Sequence, residues 1–352
     1  MSTFTIAVIP GDGVGVEVVA EGRKVLEAVG KRERNLQLRF TTFPWGSGYY
    51  RKQGRMMPAD ALDTLRKFDA IYLGAIGDPS IPDHITLHGL LFPIRREFDQ
   101  YVNVRPAYLY AGAPTPLANK APGSIDMLVI RENTEGEYAD AGGRIYRGFP
   151  DEVAVQTNIF TRHGTERILR FAFDQARSRR KHLTSITKSN ALAHSMVFWD
   201  DVFRQVARDY PGVKTNSMLV DAACMNFVRR PEAFDVVVAS NLFGDILTDL
   251  SAAVVGGMGL APAANLNPTR EFPSMFEPVH GSAPDIAGRG VVNPIAAILT
   301  GGMMLDFLGA KRAAARIQKA VSIVLAEGKV RTPDLGGRSK TSEVTAAILA
   351  GL

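Results

Sequence analysis

Short apolar runs that stop at a turn and hand over to a segment of helical spacing recur along this chain. That alternation most limits what it can fold into. Residues 5–9 (TIAVI) stop at Pro10-Gly11, and a helical pattern follows over about 16–29. Residues 36–43, 68–73, 101–106, 125–131, 152–160, 182–187, 214–220 and 235–239 read as further strands. A segment opened by Pro58, then 86–100, 164–179, 195–210, 222–230, 294–308 and 313–327, read as helices, while ANLNP and the stretch from Glu277 to Pro294 read as loops. Strands that alternate with helices predict an α/β protein. A length of 352 residues allows two domains.

Composition removes several classes of function. At 46% hydrophobic and 22% charged the chain is ordinary for a water-soluble protein. Its single cysteine, Cys224, excludes an internal disulfide and reads as a buried, inert thiol, so a reducing cytoplasm is expected. The opening MSTFTIAVIPGDG reads as a first strand and not as a signal peptide. The most apolar stretch, 291–310, carries Pro294, several glycines and Asp306, so a buried helix is expected there and no membrane span. The basic run ARSRRKH (176–182) has no interleaved aromatic residues and reads as a solvated helix end, with no nucleic-acid partner. GDGVG has Gly11, Gly13 and Gly15 but Val16 where a dinucleotide fingerprint would have its third glycine, so it reads as a strand-to-helix turn.

The side chains that carry chemistry sit near strand ends. Asp245 and Asp249 are four apart in SNLFGDILTDL, hence one turn apart on one face if that segment is helical. Such a pair is often no more than a solvated face. Here it follows the apolar run FDVVVAS, and like charges at that spacing repel, which a cation with oxygen ligands such as Mg²⁺ or Mn²⁺ would relieve. Asp221 ends another apolar run and joins them as a metal candidate. Arg95, Arg105 and Arg131 suit the carboxylates of an anionic substrate, although each alone could be a surface ion pair. Tyr138 and Lys188 are candidates for proton transfer. The loop His280, Gly281, Ser282, Ala283, Pro284, Asp285 is dense in backbone amides and could wrap a nucleotide or be a plain turn. The other histidines show no ligand spacing.

RENTEGEY, TKSN, SNLFGDILTDL and EPVHGSAPDIAGRGVVNP together resemble the metal-dependent β-decarboxylating dehydrogenases of 2-hydroxy acids, the family of isocitrate and isopropylmalate dehydrogenases. The resemblance runs from GDGVG to the C-terminus. DHITLHG, RREFDQYVNVRP and APAANLNPTREFPSMFEPVHG are most similar to the tartrate and D-malate branch. It implies an isopropylmalate dehydrogenase-like two-domain α/β fold, not a true Rossmann fold. Residues 1–103 plus 254–352 would form a large cofactor-side domain. Residues 104–253 would form a small domain carrying a dimer interface, with an arm near 138–160. A homodimer with shared active sites is implied, in which Lys188 and Asp221 come from the partner chain. Asp245 and Asp249 would complete the metal site. Arg95, Arg105 and Arg131 would bind a malate-like dicarboxylate, and Tyr138 would protonate the carbon left by decarboxylation.

The resemblance also implies NAD as cofactor. Asp285 and Ile286 stand where NADP-using isocitrate enzymes carry lysine and tyrosine, and an aspartate there would repel a 2′-phosphate. His280 to Pro284 would belong to the same cofactor loop, and Asn293 would lie near the adenine. A monovalent cation such as K⁺ is left open. Specificity toward the substituent on substrate C3 falls to His88, Leu91 and Phe92. The segment HGLLFPIRR departs from the branch pattern at His88, Leu90, Phe92 and Pro93. The expected activity is therefore oxidation and decarboxylation of D-malate or tartrate. A 3-substituted malate such as 3-isopropylmalate or 3-methylmalate is the alternative, and a non-catalytic RNA-binding or regulatory subunit a distant one.

Overall fold

A computed structural model describes residues 2–352. From the N-terminus its elements are β1 (Ser2–Gly11), α1 (Val14–Arg32), β2 (Leu36–Thr42), α2 (Ser47–Gln53), α3 (Ala61–Leu65), β3 (Ala70–Ala75), α4 (Asp83–Thr86), a π turn (Leu87–Leu91), α5 (Phe92–Glu97) and β4 (Val102–Tyr108). The middle of the chain forms β5 (Asp126–Glu132), β6 (Gly136–Ile145), β7 (Val153–Ile159), α6 (Arg162–Ser178), β8 (His182–Thr187), α7 (Ser195–Ala207), β9 (Lys214–Leu219), α8 (Val220–Arg229), β10 (Val236–Ala239) and α9 (Asn241–Val254). The last third adds β11 (Pro262–Leu266), β12 (Ser274–Pro278), α10 (Ile295–Phe307), α11 (Lys311–Glu327) and α12 (Thr341–Gly351).

Two compact units make up the chain. The first holds Met1–Gln100, Arg105–Ile125 and Ala252–Leu352, and the second holds Tyr101–Val104 and Asp126–Ser251. Residues 105–125 thus group with the first unit, whereas a boundary at 103/104 would put them in the other.

In the first unit the strand order is β2-β1-β3-β12-β11. β1 runs parallel to β2 and β3, β3 runs parallel to β12, and β11 is antiparallel to β12. A parallel sheet buried on both faces needs apolar side chains on every residue. β3 (AIYLGA) meets that demand, being buried throughout. α1 turns Val14, Val18, Val25 and Val29 inward, an i, i+4 stripe with a second stripe of the same spacing. The stretch 291–310 supplies α10, a helix buried nearly all round, which packs against α1 and α11. Among the described residues no helix is long and apolar enough to cross a membrane.

The second unit has the order β5-β10-β8-β9, with every neighbour parallel. α6 begins on Thr161, whose hydroxyl accepts from the Gly164 N–H at 2.9 Å, and turns Ile168, Leu169, Ala172 and Phe173 inward. Trp199 of α7 is fully buried and donates its indole N–H to the Ser185 hydroxyl of β8 at 2.9 Å.

Several expectations are corrected. ANLNP is not a loop: Ala264, Asn265 and Leu266 belong to β11. Asparagine reads as a breaker, but Asn265 is buried with its amide bonded to Glu277 at 2.8 Å. Glu277 and Pro278 likewise end β12 and do not open a loop. The tract 86–100 is not one helix, because Pro93 cannot donate to the carbonyl four residues back. The Phe92 N–H instead reaches Leu87 O, a π-type bond, and α5 ends at Glu97. RENTEGEY runs into β6, which pairs with β7 as an antiparallel hairpin. Cys224 is only partly buried, and burial pushes its thiol pKa up.

Candidate active site

Parallel pairing carries sequence-distant groups to one edge of the second unit's sheet. Ala239 of β10 is level with Arg131 of β5, and Thr187 of β8 is level with Leu219 of β9. The strand ends therefore deliver Arg131, Lys188, Asp221 and the start of α9 to the same side, where loops of open α/β sheets bind ligands.

Arg131 is 2% exposed, so its charge must be met inside the protein. Its Nε and Nη2 donate to Asn241 Oδ1 at 3.0 and 2.7 Å, and its Nη1 forms an ion pair with Asp245. Tyr138 completes the group: its hydroxyl donates to Asp245 Oδ2 at 3.0 Å, and the guanidinium lies 5.4 Å from its ring centroid. Burial, then the Asp245 charge, raise the Tyr138 pKa, and Arg131 partly offsets them. α9 can approach this closely because residue 244 is glycine. A Cβ there would sit 2.7 Å from Cβ and Cγ of Arg131.

The turn after Arg131 is held by Glu132, which is buried. Its carboxylate accepts from the N–H of Thr134 at 3.0 Å and of Glu135 at 2.7 Å, and burial raises its pKa. This knot sets where β6, and so Tyr138, begins. Lys188, just past β8, donates to Asp221 Oδ1 at 3.0 Å. That bond holds the Asp221 carboxyl below the usual carboxylate range. A lowered folded pKa keeps the pair intact above the ordinary aspartate value, to be lost only as pH falls through the lowered one. Asp245 is partly exposed and Asp249 exposed, and among the described residues no three of His, Cys, Asp and Glu gather as a metal set. Within one chain Asp221 therefore does not join Asp245 and Asp249.

The first unit holds the other predicted residues. Arg95 of α5 is buried and pairs with Glu277 of β12 at 2.8 Å, while its Nε has no hydrogen-bond partner. Arg105 is buried in the same unit. His88 stands on the π turn with its ring edge-on to Phe92, centroids 5.0 Å apart. Leu91 is packed into the apolar core beside Met56 and Ile94.

The loop after β12 docks on the GDGVG turn. Val14 N–H donates to Ser282 O at 2.8 Å, and Glu17 accepts from the N–H of Gly290 at 3.0 Å. His280 Nδ1 lies 3.0 Å from Gly281 O, so it carries the proton. Burial lowers the His280 pKa, and the buried Nε2 is left as an acceptor without a partner. Asp285 is exposed, while Ile286 packs on Val14 and Val18. Asn293 is buried, donates to Asp334 at 3.0 Å and accepts from the Ile295 N–H at 3.0 Å.

Gly13 has φ +52, and a Cβ there would lie 2.0 Å from Ser282 O. Gly13→Ala is expected to cost about 1–3 kcal/mol for the backbone alone, with the displaced loop in addition. A thermal melt should show a clear loss, whereas Gly48→Ala, in helix α2 with open space around it, should be no less stable than wild type.

Sequence reasoning missed Asn241, Glu132, Glu277 and Asp334. Asn241 had a readable signal: with Asp245 and Asp249 it continues one i, i+4, i+8 stripe. The others had none, since their partners are remote in sequence or lie in a turn.

Comparison with known proteins supplies the family. Residues 5–348 match the isocitrate/isopropylmalate dehydrogenase family. A Bacillus subtilis (strain 168) protein named "Probable tartrate dehydrogenase/decarboxylase" is 53% identical over 353 residues, covering 100% of this chain and 99% of its own. The Escherichia coli (strain K12) D-malate dehydrogenase (decarboxylating) is 53% identical over 356 residues, covering 99% and 98%. The crystal structure of isocitrate dehydrogenase from Methylococcus capsulatus superposes with a TM-score of 0.88 at 36% identity, covering 99% of each chain. A full-length family match, relatives at this identity and a shared architecture leave one conclusion: the chain belongs to the isocitrate/isopropylmalate dehydrogenase family, as a decarboxylating dehydrogenase.

Proposed function

We propose that this protein is an NAD-dependent, divalent-metal-assisted dehydrogenase that oxidises D-malate or tartrate and decarboxylates the resulting keto acid. It works as a cytoplasmic homodimer. The observation that carries the reading is the Arg131–Asp245–Tyr138 constellation: a buried cation, a carboxylate and a phenol held together at parallel strand ends. The names of the relatives supply the substrates considered.

The residues fit the groups this chemistry needs. Asp245 and Asp249 offer the oxygen donors a hard divalent cation prefers, and Asp221 of a second subunit would complete the set. The orphaned His280 Nε2 and the exposed Asp285 suit a nucleotide with free ribose hydroxyls. When bound, NAD supplies the hydride acceptor and Mg²⁺ or Mn²⁺ supplies Lewis-acid stabilisation of developing negative charge. Arg95, Arg105 and Arg131 orient the two carboxylates through paired N–H donors. Lys188 takes the proton of the C2 hydroxyl, and C2 becomes a ketone as its hydrogen leaves as hydride to the nicotinamide acceptor. The bond from C3 to its carboxylate then breaks, CO₂ leaves, and Tyr138 gives its proton to C3. Sharing between subunits is supported by apolar side chains left exposed on the second unit: Ile145, Phe149 and Val155 on the hairpin, Met225 on α8 and Ile246 on α9.

Tyr138→Phe removes the proton donor and should lower turnover by about 10²–10⁴-fold. Because its pKa is raised, wild-type Tyr138 keeps its proton above the ordinary tyrosine value. Any loss of rate from its ionisation should therefore appear only above about pH 10. A turnover–pH profile of the two proteins checks both points.

A second reading rests on the π turn, where His88 packs edge-on against Phe92 in the segment expected to face substrate C3. Such a surface could accept a 3-alkylmalate. NADH formation with Mn²⁺, with and without K⁺, on D-malate, both tartrates, 3-methylmalate, 3-isopropylmalate and D-isocitrate decides between the readings. A tenfold lead in kcat/KM for D-malate or tartrate supports the first, a lead for a 3-alkylmalate supports the second, and no turnover of any overturns both.

A further inference from the structure

The first unit carries a charged cavity at the end of its sheet where β1 and β2 begin. It has a volume of about 600 Å³ and is lined where β1 and β2 begin, where α1 ends and where α11 starts. The loops proposed to hold NAD follow the far end of the ten-residue β1, about 30 Å away at strand rise. The cavity's charge is one-sided. Arg32, Arg34, Lys311, Arg312 and Arg316 line it, against one carboxylate, Glu33. Glu33 is already paired with Arg316 at 2.7 Å. Its apolar floor includes Phe4 and Leu36.

This arrangement works against itself in the absence of a counter-ion. The N-terminal end of a helix carries partial positive charge and favours acidic residues in its first turn. α11 has none there, its N-cap is Ala310 with no side-chain cap, and it opens on Lys311 and Arg312. Arg312 and Arg316 are like charges one turn apart. Arg32 and Arg34 approach from the other wall. Five basic groups around a concave space focus a positive potential that raises the local concentration of anions. The volume lies within the range of small-molecule sites and exceeds what a single phosphate needs.

We propose that this cavity binds a multiply charged phosphate compound of nucleotide size, with its phosphates on Arg34, Lys311 and Arg312 and its apolar part on Phe4 and Leu36. The site is separate from the dehydrogenase chemistry, and its residues take no part in turnover.

Titration calorimetry with pyrophosphate and with ATP, at low salt and with excess NAD present, tests this. The expected result is one site per chain, weakened by added salt and not displaced by NAD. Arg34→Glu combined with Arg312→Glu should weaken binding at least tenfold, and Arg34→Gln with Arg312→Gln should weaken it in the same direction if charge reversal harms folding. Both pairs should keep wild-type turnover of the best substrate. Lys188→Met should keep the anion site while losing turnover, which separates failure of this site from failure of the proposed activity. Absence of binding by both probes to wild type, or unchanged affinity in both double variants, would overturn the proposal.

Discussion

Asp245→Asn is expected to lower turnover about 10³-fold or more while the protein still folds. The carboxylate serves two partners at once: it is the ion-pair acceptor of Arg131 and the hydrogen-bond acceptor of Tyr138. Asparagine keeps one oxygen for Tyr138 or Arg131 but removes the negative charge. Two consequences follow. A hard cation loses a charged ligand, and loss of several kcal/mol of transition-state stabilisation corresponds to a rate loss of about this size. Arg131, nearly fully buried, also loses the Asp245 counter-charge while keeping its hydrogen bonds to Asn241. Breaking a fully buried pair costs about 3–5 kcal/mol, but Asp245 is 36% exposed, so a smaller loss of stability is expected here. Mn²⁺ titration by calorimetry provides a readout besides activity. Affinity should fall with turnover in Asp245→Asn, and Asp249→Asn should show the metal effect with little change in melting temperature. Wild-type Mn²⁺ affinity in both variants would sink the metal assignment.

Lys188→Met is expected to cut turnover by about 10²–10⁴-fold, the range of a positioned general base. Methionine keeps the length and apolar stem but cannot take a proton. Asp221 of the pair is exposed and Lys188 partly so, and exposed ion pairs contribute little, so melting temperature should stay near the wild-type value. Substrate KM should change less than kcat, because the base acts in the chemical step and not in holding carboxylates. The variant also releases Asp221 from the bond that lowers its pKa. NMR titration of that carboxyl should therefore move up toward the ordinary aspartate value. If activity is lost and the Asp221 titration does not move, the pair is not formed in solution as it is here. If activity survives, Lys188 is not the base.

Mixed with inactive Asp245→Asn, an inactive Lys188→Met protein also tests shared sites. Heterodimers formed by refolding the two together should regain part of the turnover if each site draws Lys188 from one subunit and Asp245 from the other. No recovery would count against sharing.

What could be read from the chain alone was local in kind. The strand runs, the helix α9 with its two aspartates, the Arg131 and Lys188 strand ends and the loop from His280 to Asp285 are all short-range patterns of hydrophobic period, turn residues and chemistry-bearing side chains. Such patterns stand in the sequence because they depend on neighbours within one helical turn or one strand. Tertiary structure decided the rest. Asn265 reads as a breaker, yet lies in a strand because Glu277, twelve residues on, accepts its amide. The tract around His88 reads as a plain helix, yet Pro93 forces a π turn that fixes how His88 meets Phe92. Arg131 was one of three equivalent arginines until α9, more than a hundred residues later, brought Asn241 and Asp245 against it through the gap left by Gly244. A partner's distance along the chain leaves no periodic trace in sequence, and buried polar groups find those partners only when the strands and helices that carry them pack together.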